Sequence, residues 1–85
     1  MIDKVKEFYS FLNKCKRCGI RLKSVKYDEK NNLYIYHFCR VRFIGNNTYF
    51  CDDDFWTNID ALIPMEKVYD FVMEDVCTRY KITKG

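Results

Sequence analysis

Cys15-Lys-Arg-Cys18 is the first grouping in the chain whose spacing could support chemistry. Two thiolates so spaced supply half of a tetrahedral zinc centre. The other half would have to come from His37, Cys39, Cys51 or Cys77, because no second Cys-x-x-Cys exists. Strand alternation through the hairpin outlined below puts Cys39 and Cys51 on opposite sheet faces, where they cannot join one tetrahedron. Cys15 also falls on an apolar helix face. The thiols therefore read as small buried or half-buried side chains, with no metal and no cofactor; a small structural zinc domain is an alternative. A redox pair is a further alternative, since Lys14, Lys16 and Arg17 would lower a thiol pKa. The site would sit at a helix C-terminus, however, where the dipole opposes a thiolate.

Catalytic groupings are otherwise thin. His37 is the only histidine, Ser10 and Ser24 are the only serines, and three glycines cannot build a phosphate-cradling loop. His37 lies in the aliphatic phase of a strand and reads as a core or rim histidine. Asp52, Asp53 and Asp54 could hold a divalent cation, but consecutive carboxylates point in different directions, so they read as caps of a following helix. The chain is expected not to be an enzyme.

The elements that would position these groups follow from periodicity. Val5, Phe8, Tyr9, Leu12 and Cys15 form one face of a helix from about Asp3 to Cys18, with Asp3 as N-cap and Gly19 as stop. Ile20 to Tyr27 alternates with a change of phase that a bulge near Ser24 would reconcile. After a turn at Asp28–Asn32, Leu33 to Phe43 is a long strand, and Gly45-Asn46-Asn47 returns the chain into a strand from Thr48 to Cys51. Phe55, Trp56, Ile59, Leu62 and Ile63 are spaced as a short helix, and Pro64 opens a final helix striped by Met65, Val68, Tyr69, Val72, Met73, Val76 and Tyr80. The expected fold is α+β, a three-stranded antiparallel meander with helices on one face, in the order αβββαα.

The long strand has two unlike faces. Leu33, Ile35, His37, Cys39, Val41 and Phe43 form an aliphatic one, expected to lie under the helices together with Phe50. Tyr34, Tyr36, Phe38, Arg40 and Arg42, joined by Tyr49 and Cys51 from the returning strand, form an amphipathic one, expected to face outward. Tyr and Arg are the residue types that dominate binding hot spots. The competing interpretation is ordinary cross-strand packing. A separate strip of Lys14, Lys16, Arg17, Arg21, Lys23 and Lys26 has the charge of a phosphate-binding footprint, or of a solvated face.

Composition sets the frame. The chain has 85 residues, 48% hydrophobic and 18% aromatic, enough to fold as a single domain spanning residues 1–85. No apolar run approaches the length that crosses a bilayer, and MIDKVKEFYS, with acids inside it and no apolar stretch, is not expected to act as a signal peptide. Five cysteines, an odd number without an export signal, point to a reducing cytoplasm. Phe, Tyr, Met, Ile, Asn and Lys make 40 of the 85 residues, against 10 for Gly, Ala, Arg and Pro, so the gene reads as AT-rich, as in many low-GC bacteria, archaea and their viruses. The net charge of +3 divides into +7 over residues 1–45 and −4 over 46–85, a polarity that suits oriented encounter with a charged partner.

Two resemblances rest on element order. Helix, three antiparallel strands and helix is similar to the double-stranded-RNA-binding domain, which implies a basic cluster at the start of the last helix. Pro64-Met65-Glu66-Lys67, flanked by Asp60 and Asp70, departs from that. The full order αβββαα resembles one class of small phage-encoded anti-CRISPR inhibitor, which implies occlusion of a host defence complex. The function expected is a non-catalytic, protein-binding inhibitor or regulator encoded by a virus, phage or mobile element and acting in the host cytoplasm. Tyr34, Tyr36, Phe38, Arg40, Arg42 and Tyr49 would bind the partner, a larger protein or protein–nucleic-acid complex, with Asp52, Asp53 and Asp54 as an acidic contact. A nucleic-acid-binding regulator using the aromatic face and the basic strip is the alternative. No membrane contact is expected, and a homodimer that hides the aromatic face is a further alternative.

Overall fold

The computed structural model describes residues 3–83. The elements run α1 (Lys4–Arg17), β1 (Ile20–Asp28), β2 (Leu33–Gly45), β3 (Thr48–Asp60) and α2 (Met65–Tyr80). The class is α+β, and the strands form one antiparallel meander in the order β1-β2-β3. Asp3 caps α1 by accepting a hydrogen bond from the Val5 backbone N–H at 3.0 Å, and Gly19, at φ 81°, ends it in the left-handed conformation that glycine adopts without strain. The face α1 buries is Phe8, Phe11 and Cys15, while Val5 and Tyr9 lie exposed. Turning Phe11 inward in place of Val5 buries a larger side chain. Phe8 then stacks on Tyr69 of α2 at 4.7 Å and meets the Tyr36 ring edge-on at 6.1 Å.

The short helix expected over Phe55–Ile63 does not form. β3 continues through Asp60, so the order is αβββα. Thr57, Asn58 and Ile59 are poor helix formers. β2 also needs partners for the backbone groups along its full 13 residues, and only an extended β3 supplies them on that side.

Two irregularities in the β2–β3 ladder decide which side chains share a face. From Leu33↔Asp60 to Phe38↔Phe55 the register is regular. An extra residue in β3, with Asp53 at φ 53°, shifts it, so that Arg40 pairs with Asp52, Val41 with Cys51, Arg42 with Phe50 and Phe43 with Tyr49. A second shift between Phe43 and Gly45 restores the original register at the Asn46-Asn47 turn. Between the two, every β3 side chain lies on the face opposite to that expected from uninterrupted alternation. Tyr49 and Cys51 therefore join the Val41–Phe43 face, and Phe50 joins Arg42. The bulge expected near Ser24 in β1 is present, between Leu22 and Ser24.

Both helices cover the face of Tyr34, Tyr36, Phe38 and Arg40. Tyr36 is 2% exposed and Phe38 0%, in one cluster with Phe8, Phe11, Ile20, Val68, Val72, Met73 and Val76. This reverses the expectation that the aliphatic side of β2 would meet the helices. The larger rings of Tyr36 and Phe38 remove more apolar area from water than Ile35, Cys39 or Val41 could. The polar groups of that face find partners in α2: the Thr57 hydroxyl donates to the Asp75 carboxylate, and the Arg40 guanidinium lies 5.4 Å from the Tyr80 ring centroid.

Candidate interaction surface

The expected partner-binding set is dispersed by the fold. Tyr36 and Phe38 are core, and Tyr34 is half-buried against it. Burial pushes the Tyr36 phenol from the ordinary 10 up to about 12, with the nearby Tyr69 and Tyr34 adding to the shift. Arg40 is half-buried beneath α2, 3.7 Å from the Asp53 carboxylate. Arg42 is exposed, but its Nε–H is shared between the two carboxylate oxygens of Asp52, at 2.7 and 2.9 Å. Of the set, Tyr49 remains a widely exposed ring.

The three consecutive aspartates are each engaged within the chain. Asp52 holds Arg42, Asp53 accepts from Arg79 at 2.6 Å, and Asp54 lies 2.8 Å from His37 Nε2. The Asp53 carbonyl also accepts the Tyr80 hydroxyl at 2.7 Å. Burial, reinforced by the Asp53 charge, raises the Tyr80 pKa to about 12. The acids thus tie the bulge of β3 to β2 and α2; they neither cap a helix nor form an unpaired acidic contact patch.

The thiols divide by environment. Cys15 is buried in the core, and desolvation pushes it to about 12. Cys18 is exposed. Cys39, fully buried although on the side away from the helices, is pushed up to about 11 by burial and by its contact with Cys51. The two lie on the same face, against the expectation of opposite faces, because the Asp53 bulge reverses Cys51. Among the described residues no group of three His, Cys, Asp or Glu side chains could hold a metal ion.

Two surfaces emerge that strand alternation alone does not single out. The first is the side of the sheet away from the helices. Ile35, His37, Cys39 and Val41 form its centre line, His37 stacks on Trp56 at 4.3 Å, and Trp56 is 55% exposed. No described helix lies over it. The thinnest dimension of the molecule, 19 Å, is that of one helical layer on one sheet. The second is the end of the β2–β3 hairpin. Every residue from Arg42 to Phe50 is exposed on both faces, so this segment is an arm reaching past the helices. Phe43, Ile44, Tyr49 and Phe50 are 73%, 65%, 60% and 43% exposed. Where the arm leaves the shorter β1, Arg21, Val41, Phe43, Tyr49 and Cys51 line a shallow hollow of about 280 Å³. A signal for both surfaces was present in the sequence: β2 is apolar on both faces, whereas a strand open on one side usually alternates with polar residues.

The basic strip lies along α1's end and β1. Lys16, Arg17, Lys23 and Lys26 are exposed, and Arg21, half-buried, donates to the Lys16 carbonyl at 2.9 Å. None of these five has an acidic partner within 4 Å among the described residues, whereas Lys14 makes contacts of its own. Both outer strands carry a bulge, with Lys23 and Lys26 on β1 and the aspartates on β3, which blunts them against edge-to-edge pairing. Compared with protein-family models, curated proteins and solved structures, the chain matches none.

Proposed function

We propose that the protein is a non-catalytic inhibitor or regulator that occludes a larger protein, and that it does so with the arm from Arg42 to Phe50. The observation that carries this reading is the exposure of four large apolar side chains on both faces of one projecting hairpin. Monomeric proteins seldom expose contiguous apolar groups without a partner to bury them. The chemistry of the arm favours a protein groove over a nucleic acid. Its one cation, Arg42, is already held by Asp52, so it has no spare charge with which to neutralise phosphates. The αβββα order replaces the αβββαα order behind the inhibitor resemblance, so the proposal rests on the arm and not on that likeness.

The test uses the immobilised chain as bait in a host lysate, followed by measurement on the purified partner. Ile44→Ser and Phe50→Ser together should weaken that partner at least about tenfold, since each removes an anchor of hot-spot type. The melting temperature should stay within a few degrees of the parent. Binding that survives the double substitution, or that falls steeply with added salt together with copurified nucleic acid, would refute the reading. Partition of the arm into lipid vesicles in place of protein binding would refute it as well.

A further inference from the structure

We infer that the side of the sheet away from the helices is an interface with a second copy of this chain, formed about a two-fold axis running along β2.

The charges on this face are arranged for self-recognition. One flank is β1, where Arg21, Lys23 and Lys26 carry positive charge with no acidic partner among the described residues. The other flank is β3, where Asp60 carries negative charge without an ion-pair partner among the described residues and Asp54, held 2.8 Å from His37 Nε2, adds a second carboxylate. Between them runs the apolar line of β2. Only one of the two face-to-face symmetries puts unlike flanks together. A two-fold axis perpendicular to the strands would lay β1 on β1 and β3 on β3, opposing like charges. A two-fold axis along β2 lays the basic flank of each copy over the acidic flank of the other, and the apolar line over itself. An interface related by a two-fold axis must be self-complementary in this way.

The strand register makes the arrangement specific. Lys26, Ile35 and Asn58 are partners in one row across the sheet. The axis along β2 therefore sets Ile35 against Ile35 and Lys26 over the second copy's Asn58, one row from its Asp60. Arg21, paired with Cys39, falls over the opposing Asp54. The one like-charged row, Asp28 against Asp60, lies at the strand ends, on a rim open to water.

The area is of the right order. Three strand widths along the nine residues of β1, and two along the rest of β2 with Phe43 and Tyr49, give a face of roughly 550 Å² per copy, or about 1,100 Å² for the pair, near the lower limit of specific interfaces. The chain exposes 6063 Å², more than the roughly 5,400 Å² expected of a compact monomer of its 10.4 kDa. Such values suit a reversible dimer. Its two arms would project from the same end, with Ile44 and Phe50 still outward.

Sedimentation velocity on the purified full chain, from about 1 µM to about 1 mM, should show a monomer–dimer equilibrium. Ile35→Asp, which sets two carboxylates against each other on the axis, should leave a monomer throughout. A charge-swap pair removes the concern that this variant merely unfolds. Lys26→Glu and Asn58→Lys, both at exposed positions, should each weaken self-association. Mixed in equal amounts they should form the heterodimer in preference to either homodimer, because the carboxylate introduced on β1 of one copy then meets the ammonium introduced on β3 of the other. A chain monomeric at every concentration would overturn the inference. So would a dimer indifferent to Ile35→Asp, a mixture that shows no preference for the heterodimer, or a face occupied instead by a nucleic acid or a different protein in the purified material.

Discussion

Phe38 and Phe43 lie five residues apart on one strand and on opposite faces, and truncating each to alanine gives opposite results if the helices cover the Tyr36–Phe38 side. Phe38 is 0% exposed, packed in the cluster of Val68, Val72, Met73 and Val76. Its removal deletes a fully buried ring and leaves a cavity that the surrounding helices can only partly close, at a cost of about 3–5 kcal/mol. A domain of 85 residues has a total stability of roughly 4–13 kcal/mol, so this is about a quarter of it or more. Phe43 is 73% exposed, and its closest ring, Tyr49, is 6.1 Å away. Its truncation costs at most about 0.5–1 kcal/mol, the worth of one cross-strand pair. Urea unfolding followed by far-UV circular dichroism, at high dilution, reads both. The Phe38→Ala midpoint should fall sharply with the slope unchanged, and the Phe43→Ala midpoint should scarcely move. Where Phe38→Ala does not fold at all, Phe38→Leu supplies a milder step of about 1–2 kcal/mol in the same direction. A tolerated Phe38→Ala beside a crippling Phe43→Ala would show that the helices lie on the other side, and both surface proposals would fall with it.

Two further outcomes test the local chemistry. Asp53→Ala removes the carboxylate that serves Arg79 and Arg40 and forces a Cβ-bearing residue without a polar handle to keep φ near 53°. It should cost more than Asp53→Gly, which loses the same ion pairs but not the backbone fit, by about 1 kcal/mol; the reverse order in thermal melts would refute the bulge. At alkaline pH the folded state holds Cys15, Cys39, Tyr36 and Tyr80 in their neutral forms, with folded pKa values of about 12, 11, 12 and 12 against ordinary values of 9 for the thiols and 10 for the phenols. A raised folded pKa means the contribution is intact below the ordinary value and is lost as pH climbs through the folded one. Stability should therefore hold to about pH 9 and fall increasingly towards pH 12, with a shallower fall in Tyr36→Phe; a flat profile to pH 11 would contradict the burial of these groups.

Much of the scaffold was legible because it depends on local rules. Asp3, Gly19 and Pro64 mark helix ends by their own backbone chemistry, and the α2 stripe from Val68 to Tyr80 repeats for long enough to be unambiguous. The β1 bulge showed as a break in phase between Leu22 and Val25. Phe55–Ile63 was misleading because Phe55, Trp56, Ile59 and Ile63 satisfy a helical spacing, while what decides its state is non-local: β2 needs a partner along its whole length. The paired shifts near Ile44 and Asp53 leave no sign in hydrophobic periodicity. Asp53 is one of three aspartates, and which of them takes the left-handed conformation is settled by the Tyr80 hydroxyl and by Arg79, 27 and 26 residues further along the chain.

The face of β2 that meets the helices could not be deduced from the strand, because neither side of it is polar enough to be the obvious outside. Leu33, Ile35, Cys39, Val41 and Phe43 would serve as a core face in many sheets, and Tyr34, Tyr36 and Phe38 do serve as one here. Strands apolar on both sides are ordinarily those covered on both sides. Two helices of 14 and 16 residues provide one cover over a three-stranded sheet, and no described element provides a second. His37 and Trp56 shield part of the bare side by stacking on each other, and Cys39 is sealed among its neighbours, yet Trp56 and Phe43 stay largely in contact with water. The same imbalance continues into the arm, where the cover is missing from both faces. A chain that pays for apolar surface beyond what its own fold can bury is matched to something outside itself. The unlike charges on β1 and β3 distinguish the bare sheet, which is complementary to its own copy, from the arm, whose one cation is already neutralised and whose fit is to an apolar groove.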